Sequence, residues 1–189
     1  MSPTISQKNN RLRYTLVNMN ATDTPISAPG SLPGPPKELL ASDMFLLKRL
    51  GFTAKDRSHA AFEGSGLASL HYAVLALLDE DPRETQAQIA DALGYDRSLI
   101  VRLLDELEER ELVIRKRDPG DRRRHVVKLT PAGRSRLVEL RAIVQRLEDE
   151  FLAPLSAEEH ETLHALLTKL ASHHDPRCIL RGPLQPHQG

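Results

Sequence analysis

Apolar residues recur along this chain in two rhythms, and the place where one gives way to the other organises the rest. From Thr85 to Leu107 the spacing is helical. Thr85 stands as an N-cap with Gln88 three residues on, the spacing of a capping box. Ala90 and Gly94 follow, and glycine readily takes the positive φ that ends a helix and turns the chain. Asp96 then caps a second helix, with Ile100, Leu103, Leu104 and Leu107 along one face. Beyond it Val, Ile and Thr dominate LVIRKR and HVVKLT, which predict two short β-strands. The DPGDRR between them is a turn centred on Pro119 and Gly120.

The helical rhythm continues on both sides. Upstream, Leu40, Met44 and Leu47 predict a helix from Pro36 and Lys37 to about Phe62, kinked at Gly51 and Phe52. Gly64 and Gly66 separate it from a largely buried helix over Leu67–Asp79, which Asp81 and Pro82 stop. Downstream, Thr130 as N-cap and Pro131 at the first helical position open a long helix. Its stripe is Leu137, Leu140, Val144, Leu147 and Phe151, and Pro154 ends it. Ser156 with Glu159 is a second capping box, opening a helix with Leu163, Leu166, Leu167 and Leu170 on one face. At the start of the chain Pro25, Pro29, Pro33, Pro35 and Pro36, with Gly30 and Gly34, break any helix. Residues 1–36 are therefore expected to be a disordered extension, and residues 173–189 a flexible tail. Lys8, Arg11 and Arg13 would be a basic arm if they met DNA, but a solvated tail is the plainer expectation. Met19 offers a second translational start.

Ala90, Gly94 and Ile100 keep the small–turn–apolar spacing of a helix-turn-helix, whose second helix is the usual reader of a DNA major groove. A β-hairpin after it makes a winged helix. The terminal helices carry more amphipathic surface than such a module needs, so an apolar face is left seeking a partner. The run DRSLIVRLLDELEERELVIRKRDPGDRRRHVVKLTPAG, Asp96 to Gly133, resembles the MarR (multiple antibiotic resistance regulator) family of bacterial transcription factors. The preceding LHYAVLALLDEDPRETQAQIADALGY is similar to that family too, and the resemblance covers roughly residues 37 to 172. It implies a mostly α fold with a small β-hairpin wing. The winged helix-turn-helix would occupy residues 67–130, with dimerisation helices at 37–62 and 131–172. It also implies a homodimer on double-stranded DNA and a small-molecule effector.

Composition narrows the picture. Aromatics are 4% of the chain and tryptophan is absent, so the core is built from Leu, Ala and Val. Lysine plus arginine and aspartate plus glutamate each number 26, so any nucleic-acid surface has to come from segregated charge. The hairpin supplies it: six cations, Arg115, Lys116, Arg117, Arg122, Arg123 and Arg124, meet two carboxylates, Asp118 and Asp121. A single cysteine, Cys178, excludes an intrachain disulfide framework and fits a reducing cytoplasm. No run approaches the roughly 20 apolar residues of a membrane span, and residues 1–30 lack the apolar region of a signal peptide. A cytoplasmic protein with no membrane partner is expected.

On the second helix of the motif, Arg97, Ser98, Val101 and Arg102 avoid the apolar stripe. Arginine can bond guanine O6 and N7 together, serine can bond phosphate or base, and valine can meet a thymine methyl. Asp121 and Arg123 match an Asp-x-Arg pattern at the family's wing tip; the resemblance implies an arginine entering the minor groove and an aspartate orienting it. Arg115, Lys116, Arg117, Arg122 and Arg124 would mainly neutralise phosphates, some pairing instead with Asp118 or Asp121. His59, His71 and Tyr72 lie on helices that flank the effector cavity in the family, although helix packing is the plainer role for each.

Other candidate chemistry is thin. His160 and His164 stand one helical turn apart and His173 and His174 follow, yet no cysteine or carboxylate cage accompanies them, so no metal is expected. Cys178 lies in a Pro- and Gly-containing tail, where an incidental thiol is the plainer reading than a redox switch. There is no phosphate-cradling Gly-rich loop, HExxH or serine nucleophile elbow, so neither an enzyme nor a cofactor is expected. Two functional readings remain. One is a ligand-responsive, dimeric DNA-binding regulator on an inverted-repeat operator. The other is a winged-helix protein–protein interaction module whose wing charges only solubilise it. Arginines concentrated at the hairpin tip favour the first.

Overall fold

The computed structural model describes residues 34–80, 85–117 and 125–179. The chain divides into two units, Met1–Ser42 and Asp43–Gly189. The described part of the first holds one short helix, α1 (Lys37–Leu40). The second is ordered α2 (Asp43–Glu63), α3 (Ser69–Glu80), α4 (Gln86–Leu93), α5 (Arg97–Glu109), β1 (Val113–Arg117), β2 (His125–Leu129), α6 (Pro131–Leu152) and α7 (Ala157–His174). A 3-10 turn, Pro176–Cys178, follows α7. The expected extension over residues 1–36 and the tail over 173–189 fall mostly outside the described residues.

The caps form where residue chemistry places them. Thr85 accepts the Gln88 N–H while the Gln88 side chain takes the Thr85 N–H, a complete capping box, and Ser156 with Glu159 repeats it. Thr130 Oγ1 accepts the Gly133 N–H at 2.9 Å, with Pro131 next to the cap. Two boundaries differ from the sequence expectation. There is no interruption at Gly51: α2 is one helix of 21 residues. The break lies at Ala41–Ser42, where the Ser42 N–H closes a tight turn on the Leu39 carbonyl. A single interior glycine lowers helix propensity by about 1 kcal/mol, too little to end a helix of this length.

The core sits in the middle of the chain. Val74, Leu75 and Leu78 of α3 pack with Ile89 and Ala90 of α4, and with Ile100, Leu104 and Leu107 of α5. Val127 of β2 and Leu137 and Leu140 of α6 close it from the other side. Each fully buried Leu or Ile contributes roughly 1.5–3 kcal/mol of transfer free energy, so this cluster holds α5 in place from several directions. The strands pair antiparallel, with Val113 opposite Leu129, Arg115 opposite Val127 and Arg117 opposite His125. Successive side chains alternate faces, so Val113 is buried while Ile114 and Lys116 point the other way and are exposed.

The hairpin is tied down at its base. The Thr130 N–H bonds the Leu112 carbonyl at 3.1 Å and its hydroxyl bonds the Glu111 carbonyl at 2.7 Å. A side chain at Gly133 would run into the Leu112 carbonyl, so α6 starts close to the strand only because that residue is glycine. At the end of α5, Leu112 N–H returns to the Leu107 carbonyl and Glu111 N–H to the Glu108 carbonyl. This is a Schellman motif with Glu111 at φ 58, a left-handed position that usually holds glycine.

Candidate nucleic-acid interface

The interface begins at the turn between α4 and α5. Gly94 has φ 71, and the Tyr95 N–H returns to the Ala90 carbonyl, so the chain reverses within two residues. Asp96 then caps α5: its Oδ1 accepts the Ser98 N–H at 2.7 Å and the Ser98 hydroxyl at 2.5 Å. Those bonds, the hydroxyl first, hold the Asp96 carboxyl below its ordinary pKa, so the cap is ionised at neutral pH.

Burial of Ile100, Leu103, Leu104 and Leu107 fixes which side of α5 faces out. Arg97, Ser98, Val101 and Arg102 are all exposed, Val101 being 37% accessible. The structure therefore brings together all four residues selected on this helix. Tyr95 is exposed beside them at the N-terminal end of α5 and was missed by the sequence reading. Its signal was a large aromatic immediately before a helix cap, which period counting does not weigh.

The hairpin residues divide. Lys116 and Arg117 are exposed on β1, as is His125 opposite Arg117. Arg115 turns inward to α5: it donates to Glu108 Oε2 at 2.5 Å and to Asp105 Oδ1 at 2.6 Å, and its N–H bonds Glu108 Oε1. It pairs with two carboxylates of α5, neither of them the aspartates expected from the sequence. Strand alternation sends Arg115 to the same side as Val113, so it reaches α5, whereas its neighbour Lys116 cannot. Asp121, Arg122, Arg123 and Arg124 lie outside the described residues. Between Thr85 and Gln86, Val101 and Asp105, and Arg115 and His125 runs an open cleft of about 580 Å³. It lies between the start of α4, the outward face of α5 and the hairpin.

The remaining candidates are scattered. His59 is exposed on α2. Tyr72 is half-buried with its ring 6.3 Å from that of Phe62. His71 is buried, and both its ring nitrogens are engaged, one with the Ala68 N–H and one with Glu106. His160 and His164 are exposed on α7, and the His173 and His174 rings meet edge to face at 4.8 Å. Among the described residues no three His, Cys, Asp or Glu side chains converge on a point where a metal ion would sit. Cys178 is exposed in the 3-10 turn. No helix among the described residues is long and apolar enough to cross a membrane.

Comparison with known proteins gives the geometry a context. A model of the MarR family matches residues 65–124, which run from just before α3 through β1 and end one residue short of β2. A putative transcriptional regulatory protein for the hcr operon of Thauera aromatica is 37% identical over 99 residues. That match covers 52% of this chain, and the chain spans 60% of that relative's length. Among solved structures, a MarR-family transcriptional regulator from Rhodococcus sp. RHA1 superposes with a TM-score of 0.62 at 30% identity, covering 70% of this chain and 94% of the other. The transcriptional repressor CouR, bound to a 23-mer DNA duplex, superposes with a TM-score of 0.65 at 33% identity, covering 71% and 95%. CouR from Rhodococcus jostii RHA1 has also been solved with p-coumaroyl-CoA, and matches at 32% identity over 73% and 95%, with a TM-score of 0.64. By name these relatives are transcriptional regulators.

Proposed function

This chain belongs to the MarR family of transcriptional regulators, and on that footing we propose a cytoplasmic, non-enzymatic homodimer that binds an inverted-repeat DNA operator and responds to a small-molecule effector. One observation carries the reading: α5 buries its whole apolar stripe and presents Arg97, Ser98, Val101 and Arg102 together on the outside. A helix of this kind in a major groove offers Arg97 and Arg102 to guanine and Val101 to a thymine methyl. The Ser98 hydroxyl already donates to Asp96, so its oxygen is left to accept from a base amine. Lys116 and Arg117 would neutralise phosphates, with Arg122 and Arg124 beyond them, while Arg123, oriented by Asp121, would reach the minor groove. Arg115 braces the hairpin against α5 and leaves that set.

The dimer follows from helices without cover. Leu166, Leu167 and Leu170 are exposed on α7, as are Met44, Leu47 and Leu50 on α2. A second copy covering them would set two α5 helices in successive major grooves, roughly 34 Å apart. Residues 37–62 and 131–172 would then form the dimerisation region and 67–130 the DNA lobe. An effector at the junction of the two regions shifts the balance only if it binds the two lobe spacings with different affinity. Of the residues set aside for such a ligand, Tyr72 is retained as the candidate, because it is half-buried and no side-chain hydrogen bond occupies it among the described residues. His59 faces solvent and His71 is bonded at both nitrogens. CouR binds DNA and p-coumaroyl-CoA, which supports a pairing of operator and small organic effector.

Selection of bound sequences from a random DNA pool tests the proposal. Enrichment of an inverted repeat is the expected result. A pool that stays unenriched would favour the interaction-module reading.

A further inference from the structure

His71 is the one polar residue in the buried set among the described residues, at 5% exposure, and its ring bonds both the start of α3 and α5. Its Nδ1 accepts the Ala68 N–H at 2.9 Å, one of the otherwise unpaired amides at the start of α3. The His71 N–H returns to the Ala68 carbonyl, so the ring takes the place that Gln or Glu holds in a capping box. An Nδ1 that accepts leaves the proton on Nε2, which lies 3.0 Å from Glu106 Oε2 on α5. One neutral imidazole therefore joins the start of α3 to the helix that carries Arg97 and Arg102.

We propose that His71 is a positioning residue for DNA recognition, holding α5 against α3 in its neutral Nε2–H form and releasing it when protonated in acid. The proposal rests on the DNA-binding reading above. The second proton would go on Nδ1, opposite the Ala68 N–H, and set two donors face to face where one bond had been. The ring then has to leave the end of α3, and the Glu106 bond is no longer held in its present geometry. The groups acting on the ring are its burial, which is the largest influence and favours the neutral form, then Glu106, which favours the charged form, and Arg110, which opposes it. Glu106 is on α5 and Arg110 is the C-cap that follows it. Of the other neighbouring helices, α6 has Arg136 paired with Glu139, and α2 ends in the exposed Glu63. The net effect keeps the His71 pKa below the ordinary histidine value, so the ring is neutral at neutral pH.

The experiment measures affinity for the selected operator at about pH 7.5 and about pH 5.5 for the parent, His71→Gln and Glu106→Gln, with the melting temperature of each as control. Glutamine can accept the Ala68 N–H and donate to Glu106 at once without titrating. The parent should lose affinity on acidification by about fivefold or more beyond any loss by His71→Gln, the lower end of an ordinary coupling between sites. Glu106→Gln removes the group that favours the charged ring, so the acid transition should move to lower pH. Identical pH ratios for parent and His71→Gln would overturn the proposal, including the case in which the variant only melts earlier. A Glu106→Gln profile superimposable on the parent's would overturn it too. A parent that enriches no DNA at neutral pH overturns the DNA-binding reading first, and this proposal with it.

Discussion

Helices α5 and α7 carry apolar residues at the same helical spacing and meet opposite fates. The α5 stripe, Ile100, Leu103, Leu104 and Leu107, is buried along its length by α3, α4 and the hairpin. The α7 face has no buried residue, with Leu166 55% and Leu170 48% exposed. Helix α2 behaves like α7: of 21 residues only Phe62 is buried, and Met44 is 75% exposed. Periodicity therefore reports which side of a helix is apolar and leaves open what covers it. In the DNA lobe the cover comes from the same chain. At the terminal helices we assign it to a second copy.

The sharpest way to break that contrast is to truncate one leucine from each region. Leu104→Ala opens a cavity in a packed core and should cost about 2–5 kcal/mol of unfolding free energy. Leu167→Ala, measured at concentrations low enough to keep the chain monomeric, should stay within about 0.5 kcal/mol of the parent. At micromolar concentration the same variant should shift sedimentation toward monomer. Equal costs for the two under monomer conditions would mean that α7 is packed within its own chain, and the dimer argument would lose its basis.

Next in size is the difference between reading bases and holding the backbone. Arg97→Ala should relax preference at one position of each half-site, at a cost of roughly 1–3 kcal/mol on the operator and little on scrambled DNA. Arg123→Ala should weaken binding broadly, reduce the salt slope, and lose most on A·T-rich flanks. A salt titration of both variants on the two DNAs checks this. An Arg123→Ala protein that binds like the parent at every salt concentration would mean that the wing does not enter DNA.

Arg115 separates the two roles from inside the lobe. Its side chain is largely buried against partners that are half-exposed, so after allowance for screening Arg115→Ala should cost about 1–2 kcal/mol of stability. The hairpin would then loosen from α5. A phosphate-binding arginine behaves otherwise: its loss leaves stability alone and lowers the salt slope by about one. Thermal melts and a salt titration on the one variant distinguish the two.

Much of this was legible in the sequence because local chemistry decided it. Thr85, Asp96, Thr130 and Ser156 cap where a short polar side chain precedes a periodic run. The outward residues of α5 follow from the inward ones. What escaped depends on contacts distant in the chain or on geometry with no compositional mark. Arg115 and Lys116 are both hairpin cations, and only the strand register sends one to Asp105 and Glu108. Helix packing was the plainer expectation for His71, but its partner Glu106 is 35 residues away and nothing local marks the pair. The helix runs on past Gly51 without interruption because a lone glycine on an exposed helix surface does not outweigh the helix around it.

The smallest effects should come from the two left-handed turns that bound α5, and they should have opposite signs. At Gly94 the sequence supplies the residue the backbone needs, and Gly94→Ala should cost about 1 kcal/mol through the positive φ. A side chain there would also meet the Arg177 guanidinium, which sits on the end of a flexible side chain and can move away. The double variant Gly94→Ala, Arg177→Ala should therefore recover little of the loss. At Glu111 the same backbone region is occupied by a residue that pays for it in strain, with φ 58 fixed by the Schellman bonds. Glu111→Gly should raise stability by about 0.5 kcal/mol, the relief of a left-handed conformation less the extra freedom of glycine in the unfolded chain. Denaturant midpoints at constant slope read both changes. If both are neutral, the ends of α5 yield as easily as the terminal helices, and the rigid frame that holds its outward face ends short of the two turns.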